Sequence, residues 1–256
     1  DNAIALLSKA PDDDVRSILK YVFGSDSDEA LNYLLANLKV MRKDLDSVTL
    51  ANMSFKRGSE AAAALRTNAY KRWKTSVLAG GTVQDSTEHF LVIYKDGLDD
   101  LYRISRYDEA RIADALIHEM SHGAPQTLDF YYGYPITSGS GAAPIDAAGL
   151  IDFAKDAKSA HPDNLVNPHF SSAQPPSFTE FQASINSQPD IVRQHPALRN
   201  ADSYSLAVSL LDQSRSNPRE LMFNLAYIKG SLEAADKTKY KFIQGTLPIQ
   251  LARPKP

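Results

Sequence analysis

The chain contains no cysteine among its 256 residues. This absence excludes disulfide bonds, thiol nucleophiles and every metal site that needs a thiolate ligand. Histidine is also scarce, with six residues, and glutamate is outnumbered by aspartate, 8 to 23. A transition metal could therefore be bound only through these few imidazoles and through carboxylates.

The composition supports neither a nucleic acid nor a membrane as a partner. Lys and Arg total 28 against 31 Asp and Glu, a formal net charge of −3, so no basic excess indicates a nucleic-acid surface. The apolar runs are only a few residues long, as at 90–94, whereas a bilayer span needs roughly 20. We therefore expect neither nucleic-acid binding nor a membrane span.

The length and the 43% hydrophobic content are those of an ordinary globular chain with a sizeable core. Because no repeat or linker is visible, we predict a single domain over 1–256. The chain begins at Asp1 without a Met or an apolar signal stretch. We therefore expect it to be a processed piece of a longer protein.

Residues 1–80 are predicted to form a helical N-terminal region. Acidic residues at 12–14 precede an apolar-periodic stretch that ends at Gly24, and 27–29 open a second helix. Ser59 is expected to cap a third helix, which runs from Glu60 through four alanines to Leu78.

A small sheet is predicted next to a further helix. Residues 90–94 have the clearest strand pattern, 96–97 form a turn pair, and 101–105 suggest a second short strand. From Asp108 to His122 the apolar spacing is helical, and Gly123 ends it. The sequence thus predicts a predominantly helical α+β fold with a small β-sheet beside this helix.

Residues 134–199 differ in amino-acid composition from the rest of the chain. They hold more than half of the 14 prolines, with one helix-like island at 145–158. Since long loops without structure are uncommon inside compact domains, we predict a Pro-rich insertion or lid. Helices are expected again at 202–213 and from Asn217 towards Gly230.

The chemistry-bearing pattern is H-E-x-x-H, formed by His118, Glu119 and His122. Residues four apart lie on one face of a helix, so both imidazoles can reach one ion. Glu119 is placed to hold a water at that ion and to take its proton. The pattern predicts a zinc hydrolase site on the 108–122 helix.

A catalytic zinc needs a third protein ligand, and the residues alone leave its identity open. Asp129 is the nearest acid after His122, and the turn at Gly123 and Pro125 lets the chain reverse. The more distant candidates are His89, His161, His169, His195, Glu180 and Glu220.

The segment 126–133, Q-T-L-D-F-Y-Y-G, resembles the G-T-x-D-x-x-Y-G motif of the aspzincin metalloendopeptidases, the deuterolysin and peptidyl-Lys family. Gln126 replaces the first glycine of that motif. The helix segment 116–122 is also similar to the family's, and 200–204 resembles its N-A-D-x-Y stretch. The three pieces occur in the family's order and cover about a tenth of the chain.

The resemblance implies a zincin-like metallopeptidase that binds one Zn²⁺ and hydrolyses peptide bonds of a protein or peptide substrate. It implies His118, His122 and Asp129 as zinc ligands and Glu119 as general base. It further implies that Tyr132 donates to the oxyanion of the tetrahedral intermediate, a role that amide hydrolysis requires of some donor.

The same resemblance implies that Asp202 contacts the substrate. In Lys-specific members this aspartate lines the pocket for the residue after the scissile bond, with an acid one turn later. Here that later position is Ser205. A single carboxylate favours a cation less than a pair does, so we expect a mild preference for a basic residue.

Two departures from the family point to a bacterial member. The chain has no cysteine, unlike fungal relatives that carry disulfides, and 72 residues separate Asp129 from Asp202. We expect secretion or delivery outside the producing cell as part of a larger secreted protein. The alternatives are a non-catalytic zincin-like binding module and a toxin or effector that uses the same protease chemistry.

Overall fold

The computed structural model describes residues 1–58, 61–79, 88–104, 109–128, 186–219, 221–222 and 224–226. These residues divide into two compact units. The terminal unit takes its residues from Asp1–Leu35 and Leu128–Pro256, and the central unit is Ala36–Thr127. The single domain predicted over 1–256 stays a prediction. No helix within the described ranges is long and apolar enough to cross a membrane.

The terminal unit is helical in its described part. It contains α1 (Asn2–Leu7), α2 (Asp13–Phe23), the start of α3 (Asp28–Ser47), α7 (Asp190–Gln194) and α8 (Ala201–Ser216). A 3-10 turn, Pro196–Arg199, joins the last two. Helix α8 packs against α1 and α2, and the Phe23 and Tyr204 rings meet edge to face at 5.9 Å.

Local capping chemistry explains the bounds of α2. The Asp12 side chain accepts a hydrogen bond from the Val15 N–H, which satisfies one free donor of the first turn. Gly24 ends the helix in the left-handed conformation that glycine adopts without a steric penalty. The predictions for this helix, for α3 and for the 202–213 helix are therefore confirmed.

The central unit combines a three-stranded sheet with helices. Its elements are the rest of α3, β1 (Met53–Lys56), β2 (Ala63–Leu65), α4 (Thr67–Leu78), β3 (Leu91–Tyr94), α5 (Lys95–Ile104) and α6 (Glu109–Ser121). The strand order is β1-β3-β2, with β1 parallel and β2 antiparallel to the central β3.

Apolar burial fixes the sheet against the helices. Trp73 of α4 and Phe90 beside β3 are fully buried, with ring centroids 4.8 Å apart, and Tyr70 packs edge-on against Phe90 at 5.5 Å. Helix α6 contacts β2 and α5. The prediction of a mostly helical α+β protein with a small sheet beside the H-E-x-x-H helix is confirmed.

Three local predictions are wrong. Residues 63–65 form a strand instead of the first turns of a helix, so α4 begins only at Thr67, and the N-terminal 80 residues hold two strands. Residues 96–97 lie in α5 instead of a turn. Residues 101–104 are the end of the same helix instead of a strand.

The C-terminal half is described only in part. Most of the region 134–199, including the helix-like island at 145–158, lies outside the described residues, so the predicted insertion or lid stays a prediction. Within 218–226 the described residues are helical, in agreement with the predicted start of a helix after Asn217.

Candidate metal centre

The two histidines of the H-E-x-x-H pattern converge at the end of α6. The Nε2 atoms of His118 and His122 are 3.3 Å apart, and the imidazole rings stand nearly perpendicular, at 84°. Their four-residue spacing places both on one helical face. Ligand atoms of His118, Glu119 and His122 all lie within 4.8 Å of one another, and among the described residues this is the group that could hold a metal ion.

The separation of the two nitrogens fits a tetrahedral zinc ion. Zinc binds histidine nitrogens at about 2.0–2.1 Å, so two ligands at the tetrahedral angle lie about 3.3–3.4 Å apart. The distance between the Nε2 atoms agrees with this value. The donor set, two imidazoles with carboxylates nearby and no thiolate, is also one that zinc accepts in catalytic sites.

Contacts with Thr127 fix the orientation of the His122 ring. Its Nδ1 lies 3.0 Å from the main-chain oxygen of Thr127 and 3.3 Å from the Thr127 hydroxyl. An Nδ1–H that donates to Thr127 makes Nε2 the unprotonated nitrogen of a neutral ring, the form in which a histidine binds a metal. This is the usual way in which proteins fix the tautomer and the ring plane of a histidine ligand.

A buried hydroxyl pair extends this network to His118. The Ser121 hydroxyl donates to the main-chain oxygen of His118 at 2.6 Å and lies 2.6 Å from the Thr127 hydroxyl. Because Ser121 uses its hydrogen on His118, the Thr127 hydroxyl is the donor of the second bond. Both hydroxyl residues are at most 2% exposed, so the network is shielded from water.

The chain turns back at Gly123–Gln126 to bring Thr127 against α6. The Thr127 N–H donates to the main-chain oxygen of Ser121 at 3.1 Å. Gln126 has a φ of 55°, in the left-handed region that favours glycine. This is the position at which the aspzincin motif has its first glycine, so the turn has the backbone shape of a glycine with a different residue in place.

Gly123 is required by a close approach of Tyr70. A β-carbon at Gly123 would lie 2.7 Å from the Tyr70 ring. The Tyr70 hydroxyl bonds to the buried carboxylate of Asp44, which also pairs with Lys74. Burial, together with this carboxylate, raises the pKa of Tyr70 well above its usual value, so the phenol stays a donor. The ring is thus fixed against the turn that follows His122.

Glu119 is held by the sheet rather than by its own helix. Its Oε2 accepts a hydrogen bond from the main-chain N–H of Leu65 in β2 at 2.7 Å. Its other oxygen, Oε1, lies 3.9 Å from His118 Nε2, and the side chain is 14% exposed. One oxygen is therefore anchored by the sheet, and the carboxylate has an oxygen within 4.8 Å of a ring nitrogen of each histidine.

The remaining predicted residues are placed as follows. Asp129 and Tyr132 lie outside the described residues, as do His161, His169, Glu180 and Glu220. The ring of His89 is exposed and contacts the main-chain oxygen of Met53. Asp202 is 6% exposed in the first turn of α8, in the terminal unit, whereas the histidine pair belongs to the central unit.

Within the terminal unit, Leu128 pairs with the chain just before α8. Leu128, directly before Asp129, donates its N–H to Arg199 and accepts from the N–H of Ala201, next to Asp202. This isolated parallel bridge pairs Leu128 with Asn200. Leu128 and Asn200 are thus neighbours in space, although about 70 residues separate them in sequence.

Sequence reasoning missed the residues that support the histidines and the glutamate. The Ser121–Thr127 pair follows from no spacing rule, and the contact from Leu65 spans 54 residues. Comparison with known proteins adds no further residues, because no family model matches the chain and no curated protein or solved structure is significantly similar to it.

Proposed function

We propose that the chain is a zinc-dependent endopeptidase with a zincin-like site on α6. The observation that carries the proposal is the 3.3 Å separation of the His118 and His122 Nε2 atoms, which suits a tetrahedral zinc ion. The orientation of His122 by Thr127 supports it, since a fixed tautomer is typical of histidine ligands.

Zinc, when bound, lowers the pKa of water towards 7 and polarises the scissile carbonyl. Glu119 performs the proton transfers in our proposal. Its Oε1 accepts the proton of the attacking water and later passes it to the leaving amine, as general base and then general acid. The hydrogen bond from the Leu65 N–H to Oε2 fixes the orientation of the carboxylate, so that Oε1 is held in position for the proton transfers.

Asp129 and Tyr132 are assigned to the site because 126–133 resembles the aspzincin motif. We propose Asp129 as the third zinc ligand and Tyr132 as the hydrogen-bond donor to the oxyanion. Asp202 is the proposed contact for a basic residue after the scissile bond. Asp202 is only 6% exposed in the first turn of α8.

The side of β2 that faces away from β3 supports a peptide as substrate. Arg66 N–H and Tyr94 N–H bond across the β2–β3 pair, so by antiparallel alternation the main-chain groups of Ala63 and Leu65 face away from β3. In the described part of the chain no strand pairs with this side of β2. An extended peptide can add to such an edge by main-chain hydrogen bonds. Because the Leu65 N–H already donates to Glu119, the peptide would bond to the other outward main-chain groups of this edge, with Glu119 next to it.

Cleavage of casein and of a peptide library tests the proposal. We expect zinc-loaded protein to cleave both, 1,10-phenanthroline to stop cleavage, and zinc to restore it. Glu119→Gln should keep its zinc and lose at least about 100-fold in kcat/KM, because the amide accepts no proton. Glu88→Gln, which changes a partly exposed carboxylate of the same unit that pairs with Arg72, should cleave like the wild type.

Two other results would count against a peptidase. Equal turnover by Glu119→Gln and the wild type would exclude Glu119 as the general base. Zinc binding without cleavage of any library member would favour the non-catalytic binding module.

Action outside the producing cell, as a secreted toxin or effector domain, is part of the same proposal. It rests on the resemblance to an exported family. Expression of the wild type beside Glu119→Ala in a bacterial periplasm and cytoplasm tests it. We expect growth to stop only with the wild type, and equal growth in both compartments would contradict toxicity.

A further inference from the structure

The Tyr70 ring packs against the turn that follows the second histidine of α6. A β-carbon at Gly123 would lie 2.7 Å from the Tyr70 Cζ atom and 2.9 and 3.0 Å from its two Cε atoms. The part of the ring nearest to Gly123 is therefore the end that carries the hydroxyl. A contact that fixes this hydroxyl also fixes the surface against which Gly123 packs.

A buried carboxylate holds this hydroxyl. Asp44, on α3, accepts a hydrogen bond from the Tyr70 hydroxyl and pairs with Lys74, which lies one turn after Tyr70 on α4. Asp44 and Tyr70 are each only 3% exposed. A buried ion pair often stabilises a protein no more than apolar side chains of similar volume would, so fold stability alone does not account for this arrangement.

Two aromatic neighbours confine the Tyr70 ring. The centroid of the Phe90 ring lies 5.5 Å from that of Tyr70 in an edge-to-face contact, and the centroid of the Trp73 ring lies 5.7 Å from it. Both neighbours are fully buried. Because protein interiors are closely packed, a ring that is enclosed in this way and bonded at its hydroxyl has little room to move.

The backbone of His122 depends on support from outside its helix. Helix α6 ends at Ser121, and the N–H groups of His122 and Gly123 each donate to a main-chain oxygen three residues back, at 3.1 Å. Hydrogen bonds of this spacing have poorer geometry than those within an α-helix. A displacement of Gly123 would therefore move the His122 backbone, and with it the imidazole whose Nε2 lies 3.3 Å from that of His118.

We propose that Asp44 is a positioning residue for the second histidine of the metal centre. Its carboxylate accepts from the Tyr70 hydroxyl and so holds the end of the ring against Gly123, and this contact fixes the backbone that carries His122. The inference rests on the zinc site proposed for α6. All the residues that it names lie in the central unit.

The zinc affinity of the folded chain, measured by competition with a chelator, tests this role. Tyr70→Phe keeps the ring and removes only the hydroxyl, and we expect it to weaken zinc binding by about tenfold, as for other contacts that orient a ligand. Asp44→Ala should weaken zinc binding at least as much. Tyr94→Phe, which removes a phenol hydroxyl from β3 of the same unit, is the matched control and should bind zinc like the wild type.

Asp44→Asn separates positioning from a general effect on stability. The asparagine keeps an oxygen that can accept from the Tyr70 hydroxyl, but it loses the charge that pairs with Lys74. We therefore expect this variant to unfold at a lower urea concentration than the wild type and yet to bind zinc with nearly the wild-type affinity. A residue that served only the fold would not divide its variants in this way.

Amide hydrogen exchange of the metal-free chain gives a second readout, which does not depend on zinc. In Tyr70→Phe we expect the exchange rates of the His122 and Gly123 N–H groups to rise about tenfold more than that of Val92, a buried residue of β3, because the turn opens locally. A general loss of stability would instead raise all three rates together.

Several results would overturn the positioning role. They are wild-type zinc affinity in Tyr70→Phe or in Asp44→Ala, an equal loss of affinity in Tyr94→Phe, a loss in Asp44→Asn as large as in Asp44→Ala, and an equal rise in exchange rate at Gly123 and Val92. If Asp44→Ala fails to fold, Tyr70→Phe decides. If the wild type binds no zinc, the proposed zinc site fails, and hydrogen exchange alone decides whether the Tyr70 hydroxyl holds the turn.

Discussion

The main-chain N–H of Leu65 donates to Oε2 of Glu119 at 2.7 Å, so an edge strand holds the carboxylate of the H-E-x-x-H helix. A main-chain donor cannot rotate away as a side chain can, and the other carboxylate oxygen, Oε1, lies 3.9 Å from His118 Nε2. We interpret this bond as the contact that orients the proposed general base.

Replacing Leu65 by proline removes this donor. Proline is tolerated on an edge strand where the lost N–H faces outward, so the sheet should survive. We expect kcat/KM to fall about tenfold with zinc content unchanged, as for other contacts that support a catalytic group. Ala63→Pro, which removes the other outward-facing N–H of β2, serves as the matched control and should lose less. Equal losses of kcat/KM in both variants would show that disruption of the sheet, rather than loss of the hydrogen bond to Glu119, lowers the activity.

Thr127→Val removes the hydroxyl that joins Ser121 to His122. The main-chain oxygen of Thr127 still accepts from His122, so metal binding should weaken by about tenfold rather than vanish. Competition with a zinc chelator measures this change. Thr75→Val, which removes a hydroxyl bonded only within α4, is the control and should leave the zinc affinity unaltered. Wild-type affinity in Thr127→Val would exclude a role for the hydroxyl.

Gly123→Ala should destabilise the central unit by about 1–3 kcal/mol, because its methyl group overlaps the Tyr70 ring. The ring cannot move aside easily while its hydroxyl is bonded to Asp44. Urea unfolding measures the loss. The double variant Gly123→Ala/Tyr70→Leu should lose less free energy of unfolding than the sum of the two single variants, since the clash between the methyl group and the Tyr70 ring disappears. Strict additivity would show that the ring is not the obstacle.

Gln126→Gly should stabilise the protein by up to about 1 kcal/mol. Gln126 has a φ of 55°, a conformation that costs free energy for any residue with a β-carbon and little for glycine. Gln126→Ala is the matched control, since it removes the same side chain without the conformational freedom, and it should give no gain. A lower free energy of unfolding for Gln126→Gly would mean that the glutamine side chain stabilises the turn.

Sequence reasoning succeeded where interactions between residues close in sequence determine the structure. Helix α2 starts at an aspartate cap and ends at a left-handed glycine, both visible in the sequence. The convergence of His118 and His122 follows in the same way from their four-residue spacing on a helix.

Sequence reasoning failed where contacts between residues far apart in the chain override local secondary-structure propensity. The alanines near 63 are strong helix formers, yet 63–65 pair with β3, because the strand partner contributes more than intrinsic propensity. Gly97 was predicted to mark a turn, but it lies in α5, where its missing β-carbon allows contact with the main chain of Ala61. The bond from Leu65 to Glu119 likewise joins residues that no sequence pattern connects.

Diffraction at the zinc absorption edge from a crystal of the zinc-loaded chain tests the proposed metal centre most directly. We expect one anomalous peak per chain, about 2.0–2.1 Å from the Nε2 atoms of both His118 and His122, with an Asp129 oxygen as the third protein ligand. No peak between the two imidazoles, or an ion bound elsewhere in the chain, would contradict the zinc site and with it the proposed peptidase.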